Sequence, residues 1–175
     1  MAVIPERFSW AAELMDIRPD VHILEIGCGT GILAECICKR MHQGSFLAID
    51  QSAPSVEKAV KRNRQFVDEG LAEFRAEPVM DAGLPPRHFD LIAAFNVNIF
   101  WQGRGKGAHD EELAMIRETL KPGGQLFVFY QSPFDLTLVD AEPIRASLRG
   151  SGFLVKREYI KKLSPTSAVC LVATR

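Results

Sequence analysis

Residues 21–31 read Val-His-Ile-Leu-Glu-Ile-Gly-Cys-Gly-Thr-Gly, an apolar run that ends in glycines at three alternate positions. Val21, Ile23 and Ile26, with Leu24 among them, suit a buried strand. Gly27, Gly29 and Gly31 let the backbone turn tightly against a ligand. Ile32, Leu33, Cys36 and Ile37 then recur at helical spacing, so the glycines sit between a strand and a helix. That junction predicts an α/β chain with a doubly wound sheet and a ligand at the glycine loop.

Two details bear on the ligand. A dinucleotide fingerprint needs glycines at the first, third and sixth places of the loop. Here the sixth place is Ile32, and the third glycine comes one residue early, at Gly31. Glu25 also stands two residues before the first glycine. A carboxylate so close repels a pyrophosphate and attracts an ammonium group. An adenosine cofactor with an amino-acid end fits this loop better than NAD.

Three further landmarks follow in order. Phe46-Leu47-Ala48-Ile49-Asp50 reads as a second strand with a terminal acid. Phe89–Val97 reads as a later strand and its exit. Leu120-Lys121-Pro122-Gly123-Gly124 turns into a strand at Gln125–Tyr130. Together with Glu25–Gly31, these segments resemble the motifs of class I S-adenosylmethionine-dependent methyltransferases over nearly the whole chain. The resemblance implies a Rossmann-like seven-stranded sheet, mostly parallel, with an antiparallel C-terminal hairpin as its edge. It also implies S-adenosylmethionine as cofactor, S-adenosylhomocysteine as product and a small-molecule methyl acceptor.

Length and composition agree. The chain has 175 residues, 47% of them hydrophobic, enough for one sizeable core. It is read as a single cofactor-binding domain over 1–175, with residues 1–20 as an N-terminal helix and lead-in. A formal net charge of −1 gives no electrostatic case for nucleic acid or an anionic membrane. Cys28, Cys36, Cys38 and Cys170 show neither disulfide nor zinc spacing, and the four histidines are scattered, so no metal site is expected. The first residues include Glu6 and Arg7 and no long apolar run, so neither a signal peptide nor a spanning helix is expected. A reduced, cytoplasmic setting is the default.

Elsewhere strands and helices alternate without repeats. Helices are expected at 5–15, 53–67, 111–120 and 141–149, and strands at 72–76, 153–163 and 168–174. Ser52 is a cap for the second of these helices. Its Lys58, Lys61, Arg62 and Arg64 read as a solvated face.

Asp50 lies 21 residues after Gly29, where a carboxylate can accept both ribose hydroxyls; NAD proteins place an acid there too. Capping the next helix is its structural alternative. Gln51 and Ser52 are expected along the adenine edge, with capping alone as the alternative for Ser52, and Cys28 in the glycine loop. The resemblance implies an acid facing the adenine amino group, for which Glu77 is preferred and Asp81 stays open. Asn96 and Val97 leave the fourth strand where the resemblance places the methyl group and are expected to touch the cofactor. An Asn96 amide that merely satisfies local backbone is the structural alternative. No Pro-Pro-aromatic run follows Asn96, which disfavours an amino-methylating DNA enzyme. Asn96, Phe100 and Trp101 are expected to border the substrate pocket. Gly103-Arg104-Gly105-Lys106-Gly107 reads either as a loop closing over an acidic substrate or as a solvated loop.

No Ser/His/Asp or Cys/His arrangement stands out, so no catalytic residue is assigned. An activated methyl group needs chiefly alignment with its acceptor. The short N-terminal helix and short segment after Tyr130 leave the pocket open or completed by another subunit, and a homo-oligomer is compatible with this. Two alternatives remain: a non-catalytic S-adenosylmethionine-binding scaffold or sensor, and, less favoured, a NAD-dependent oxidoreductase.

Overall fold

Parallel strands covered on both faces need continuous apolar runs, and the segments ending at Ile26 and Ile49 supply them. The computed structural model describes residues 4–101, 109–132, 134 and 137–175. Its strands form one seven-stranded sheet in the order β3-β2-β1-β4-β5-β7-β6. The chain groups into two compact units, Met1–Gly83 and Leu84–Arg175.

In the first unit the elements are α1 (Glu6–Leu14), β1 (His22–Ile26), α2 (Ile32–Cys38), β2 (Ser45–Ile49), α3 (Ala53–Arg62), α4 (Arg64–Asp68) and β3 (Ala72–Arg75). β1 runs parallel to β2 from His22↔Ser45 to Ile26↔Ile49, and β2 parallel to β3 from Phe46↔Ala72 to Ile49↔Arg75. This register brings the ends of β1 and β2 level, so the glycine loop and Asp50 leave the sheet side by side. Ile23, Leu24, Phe46 and Ile49 are buried in the sheet, with Leu33 and Ile37 of α2 and Trp10, Ala11 and Ala12 of α1 also in the core. Ser52 caps α3 by accepting the Ser55 N–H at 3.4 Å.

The single helix expected over 53–67 is two, broken at Asn63. Asn63 is fully buried, and its amide Nδ2 donates to the carbonyls of Gly31 (3.0 Å) and Ala59 (2.9 Å). A side chain that bonds backbone carbonyls competes with the regular helix ladder, and the helix re-starts one residue later.

In the second unit β4 (Phe89–Phe95) is followed by a 3₁₀ turn at Asn98–Phe100. Then come α5 (Asp110–Thr119), β5 (Leu120–Gln131), α6 (Glu142–Gly150), β6 (Leu154–Lys162) and β7 (Ser167–Thr174). β4 and β5 are parallel, and β7 pairs antiparallel with both β5 and β6, which gives the expected hairpin edge. β5 begins at Leu120, five residues before the expected start, because Leu120 already pairs with Phe89. The Pro122-Gly123-Gly124 segment is accommodated as an irregularity between Phe89 and Leu91. β7 is buried almost throughout, while β6 shows solvent Lys156, Arg157 and Lys162. Charges of this kind discourage pairing of an edge strand with another chain.

Among the described residues no helix is long and apolar enough to cross a membrane, and no cluster of His, Cys, Asp and Glu could hold a metal ion.

Candidate cofactor site

The glycine loop is built from three left-handed residues, Gly27, Gly29 and Gly31, with φ of 71°, 53° and 72°. Side chains rarely adopt this region, which accounts for glycine at each place. The loop is hooked to β2: the N–H groups of Gly27 and Cys28 both donate to the Ile49 carbonyl, at 2.8 and 3.2 Å. The Gly31 N–H donates to the Cys28 carbonyl at 3.0 Å.

Asp50 completes the hook. Its Oδ2 accepts the Gly29 N–H at 2.8 Å, and its Oδ1 accepts the Ser52 N–H at 2.9 Å. The N–H groups of Gly27, Cys28, Gly29 and Gly31 are therefore all engaged within the protein. A loop that cradles a pyrophosphate instead aims backbone N–H groups at its ligand.

Glu25, one residue before the end of β1, is 2% exposed, and its Oε2 has no hydrogen-bond partner among the described residues. Burial, and secondarily the Asp50 carboxylate, push its pKa up to about 8. A carboxyl group in this state lacks a donor or a cation. Burial also drives the Cys28 thiol far above its ordinary range, with Glu25 and Asp50 adding to the effect, so Cys28 is no thiolate nucleophile. All four cysteines are buried and unpaired.

Two residues that the sequence reading passed over brace the loop. Asn63 holds the Gly31 carbonyl, as described. Arg62, read as part of a solvated face, donates from Nε to the Thr30 carbonyl at 3.0 Å and from Nη1 to Glu35 at 3.2 Å. The signal available for Asn63 was a poor helix former at the centre of a helical run; Arg62 carried none.

The close fit around Gly31 gives a direct test. A Cβ there would stand 2.5 Å from Asn63 Nδ2 and 2.8 Å from Ala59 Cβ, whereas a Cβ on Gly29 meets nothing within 4 Å. Gly31→Ala should therefore cost about 2–4 kcal/mol, combining left-handed strain with overpacking. Gly29→Ala should cost about 1–2 kcal/mol, from strain alone. Urea denaturation of both variants measures this, and equal losses would contradict it.

Beyond β3, Glu77 is half-buried and Asp81 exposed. Arg75 fastens this stretch: its guanidinium donates to both Glu73 carboxylate oxygens (2.7 and 3.0 Å) and to the Ala82 carbonyl (3.2 Å). Gln51 is exposed just after Asp50.

In the second unit, Asn96 follows β4 with a left-handed φ of 55°. Its amide is occupied: Oδ1 accepts the Gln131 N–H at 2.8 Å and Nδ2 donates to the Gln131 carbonyl at 3.1 Å. Val97 is half-buried. Phe100, expected in the pocket wall, is 0% exposed and lies in the core, leaving a ligand no surface of it. Trp101 is half-buried against Tyr130, with ring centroids 4.5 Å apart. The Gly103–Gly107 loop lies outside the described residues.

Residues 24–126, well over half of the chain, match a methyltransferase domain family. The chain belongs to that family. It is 35% identical over 115 residues to the polyketide synthase component of compactin nonaketide synthase from Penicillium citrinum, covering 62% of this chain and 4% of that protein. It is 29% identical over 107 residues to a malonyl-[acyl-carrier protein] O-methyltransferase from Priestia megaterium, covering 61% of this chain and 35% of that one. The chain thus spans well under half the length of these two relatives. Among solved structures, the [4+2]-cyclase SpnF aligns with a TM-score of 0.77 and 18% identity, over 97% of this chain and 80% of its own. A likeness at that identity speaks for the Rossmann-like methyltransferase fold alone.

Proposed function

We propose that this methyltransferase-family chain binds S-adenosylmethionine through the first unit and transfers its methyl group to a small-molecule acceptor, releasing S-adenosylhomocysteine. The observation that carries the reading is Glu25: a buried carboxyl with one unpartnered oxygen, beside a glycine loop in which the N–H groups of Gly27, Cys28, Gly29 and Gly31 are engaged. That arrangement suits the ammonium end of an amino-acid cofactor and offers poor terms to a pyrophosphate, so a NAD-dependent oxidoreductase is the weaker reading.

Each residue then has a definite task. Glu25 receives the ammonium group. Gly29 keeps the space ahead of the loop clear, and Gly27, Cys28 and Gly31 shape the turn. Asp50 uses its remaining lone pairs for the ribose hydroxyls, since each carboxylate oxygen has spent one on a backbone N–H. Gln51 borders the adenine, and Glu77, held near Arg75, is better placed than Asp81 to receive its amino group. The sulfonium supplies an already activated methyl group, and the protein's part is to hold the acceptor in line with it. Alignment of that kind is worth up to about 7–11 kcal/mol, and no side chain need act as nucleophile. Four buried, unpaired cysteines suit a reducing compartment such as the cytoplasm.

Calorimetric titration tests this. S-adenosylmethionine and S-adenosylhomocysteine should bind saturably and NAD should not, with labelled methyl transfer separating an enzyme from a scaffold. Binding of NAD alone would overturn the reading.

A further inference from the structure

A net charge near zero conceals an uneven distribution. Residues 142–175 carry seven Lys or Arg against two Asp or Glu, whereas residues 1–141 carry fourteen against twenty. An asymmetry of this size at one end of a chain marks a surface that meets a charged partner. Its centre is β6, with four cations and one acid in nine residues.

The acid on β6 is already taken. Arg145 of α6 grips Glu158 with two bonds, Nε to Oε1 at 2.7 Å and Nη2 to Oε2 at 2.6 Å, and also pairs with Glu142. Paired charge-assisted bonds of this kind fix the carboxylate in place. Lys156, Arg157 and Lys162, by contrast, are exposed, and among the described residues they take part in no ion pair.

Leu154 and Ile160 are exposed as well, at 56% and 45%. The register with β7 sorts these side chains by face. Leu154 stands opposite Thr174 and Arg157 opposite Val172, so these two share one face of the sheet. Ile160 opposite Val169 and Lys162 opposite Ser167 share the other. Each face of the strand thus offers one exposed apolar side chain and one unpaired cation, with Lys156 at the irregularity between Val155 and Arg157.

β6 is also the last strand of the sheet. Among the described residues, one row of its backbone N–H and C=O groups therefore has no strand beside it, and such a row is a template for a further strand. Its charges keep out a copy of itself or any basic segment, and the same charges attract an acidic one. A flat anionic membrane meets one face of a strand only. Nucleic-acid phosphates would use the cations but leave Leu154, Ile160 and the backbone row unmatched. An extended peptide answers all three features, because its side chains alternate between the two faces.

We propose that the outer edge of β6 is a docking site for an extended acidic segment of a partner protein. The segment joins the sheet as an eighth strand, sets carboxylates against Lys156, Arg157 and Lys162, and covers Leu154 and Ile160. No cofactor takes part.

The probe is a nine-residue peptide, acetylated and amidated, in which pairs of Glu alternate with pairs of Val, so that each face of the strand presents both residue types. At low ionic strength it should bind saturably, about tenfold tighter than the same peptide with Gln for Glu. Hydrogen exchange of the β6 amides should slow at the same time, which contacts through side chains alone would not cause. The triple variant Lys156→Glu, Arg157→Glu, Lys162→Glu should lose the Glu peptide about tenfold and take up the Lys-for-Glu peptide instead. The three side chains are exposed, so circular dichroism of the variant should match the parent, and the comparison of peptides on the parent protein stands without it. Absence of saturable binding of the Glu peptide, or binding without slowed exchange in β6, overturns the proposal. So does tighter binding of a single-stranded RNA or of phosphatidylglycerol vesicles, or self-association that the triple variant abolishes, since each assigns the edge to another occupant.

Discussion

Asp50→Ala should weaken S-adenosylhomocysteine binding about a hundredfold or more. The carboxylate acts on both sides: it holds the Gly29 and Ser52 N–H groups at 2.8 and 2.9 Å, and in our reading it presents its free lone pairs to the ribose. Hydrogen bonds to a charged group contribute about 1.5–3 kcal/mol each, so losing two from the ligand is worth about 3–6 kcal/mol. Release of the Gly29 N–H adds to this by freeing the loop from β2. Asp50→Asn keeps one acceptor oxygen and should fall between, losing about tenfold. Calorimetry on the three proteins decides it: a dissociation constant for Asp50→Ala within threefold of the parent would remove Asp50 from the ribose. The substitution should also lower the pKa of Glu25 without restoring it to the ordinary range, because burial is the larger of its two causes.

The sheet was legible because buried parallel strands leave continuous apolar runs, and both glycine-to-helix and strand-to-acid junctions are local in sequence. Glu25, Gly29 and Asp50 stand together because β1 and β2 end in register, a consequence of that pattern. What escaped the sequence depends on where single polar groups point. The apolar spacing of Val56, Ala59, Phe66 and Val67 continues on both sides of Asn63, so one polar residue on that face was too weak a signal to place the break, which the amide bonded to Gly31 explains. Arg62 sits among exposed lysines and differs from them only through the Thr30 carbonyl in its reach. Asn96 shows the same limit from the other side. It stands just after β4, as the sequence places it, but an amide has two ends, and both are turned to Gln131. The Pro122-Gly123-Gly124 segment read as a full turn because these residues usually break strands, yet Leu120 pairs with Phe89 ahead of it.

Glu25 yields the second large effect, and its sign follows from the shift. The folded protein holds this proton up to about pH 8, whereas the unfolded chain releases it near pH 4.5. Between those values the folded state binds more protons, so the contribution of the neutral carboxyl to stability is complete below about pH 4.5. It is lost as pH rises through about 8. A shift of that size corresponds to about 5 kcal/mol. Denaturant unfolding of the cofactor-free protein from pH 4 to 9 should show this decline, and Glu25→Gln, which keeps the shape and cannot ionise, should flatten it. Binding reverses the logic. An ammonium group beside Glu25 favours the carboxylate, so at pH 7 S-adenosylmethionine should displace close to one proton, seen as a binding enthalpy that tracks the ionisation enthalpy of the buffer. In Glu25→Gln both the proton release and most of the affinity should vanish. Proton release that persists in this variant would place the ammonium group against some other acid and take from Glu25 the role that distinguishes this loop from a dinucleotide site.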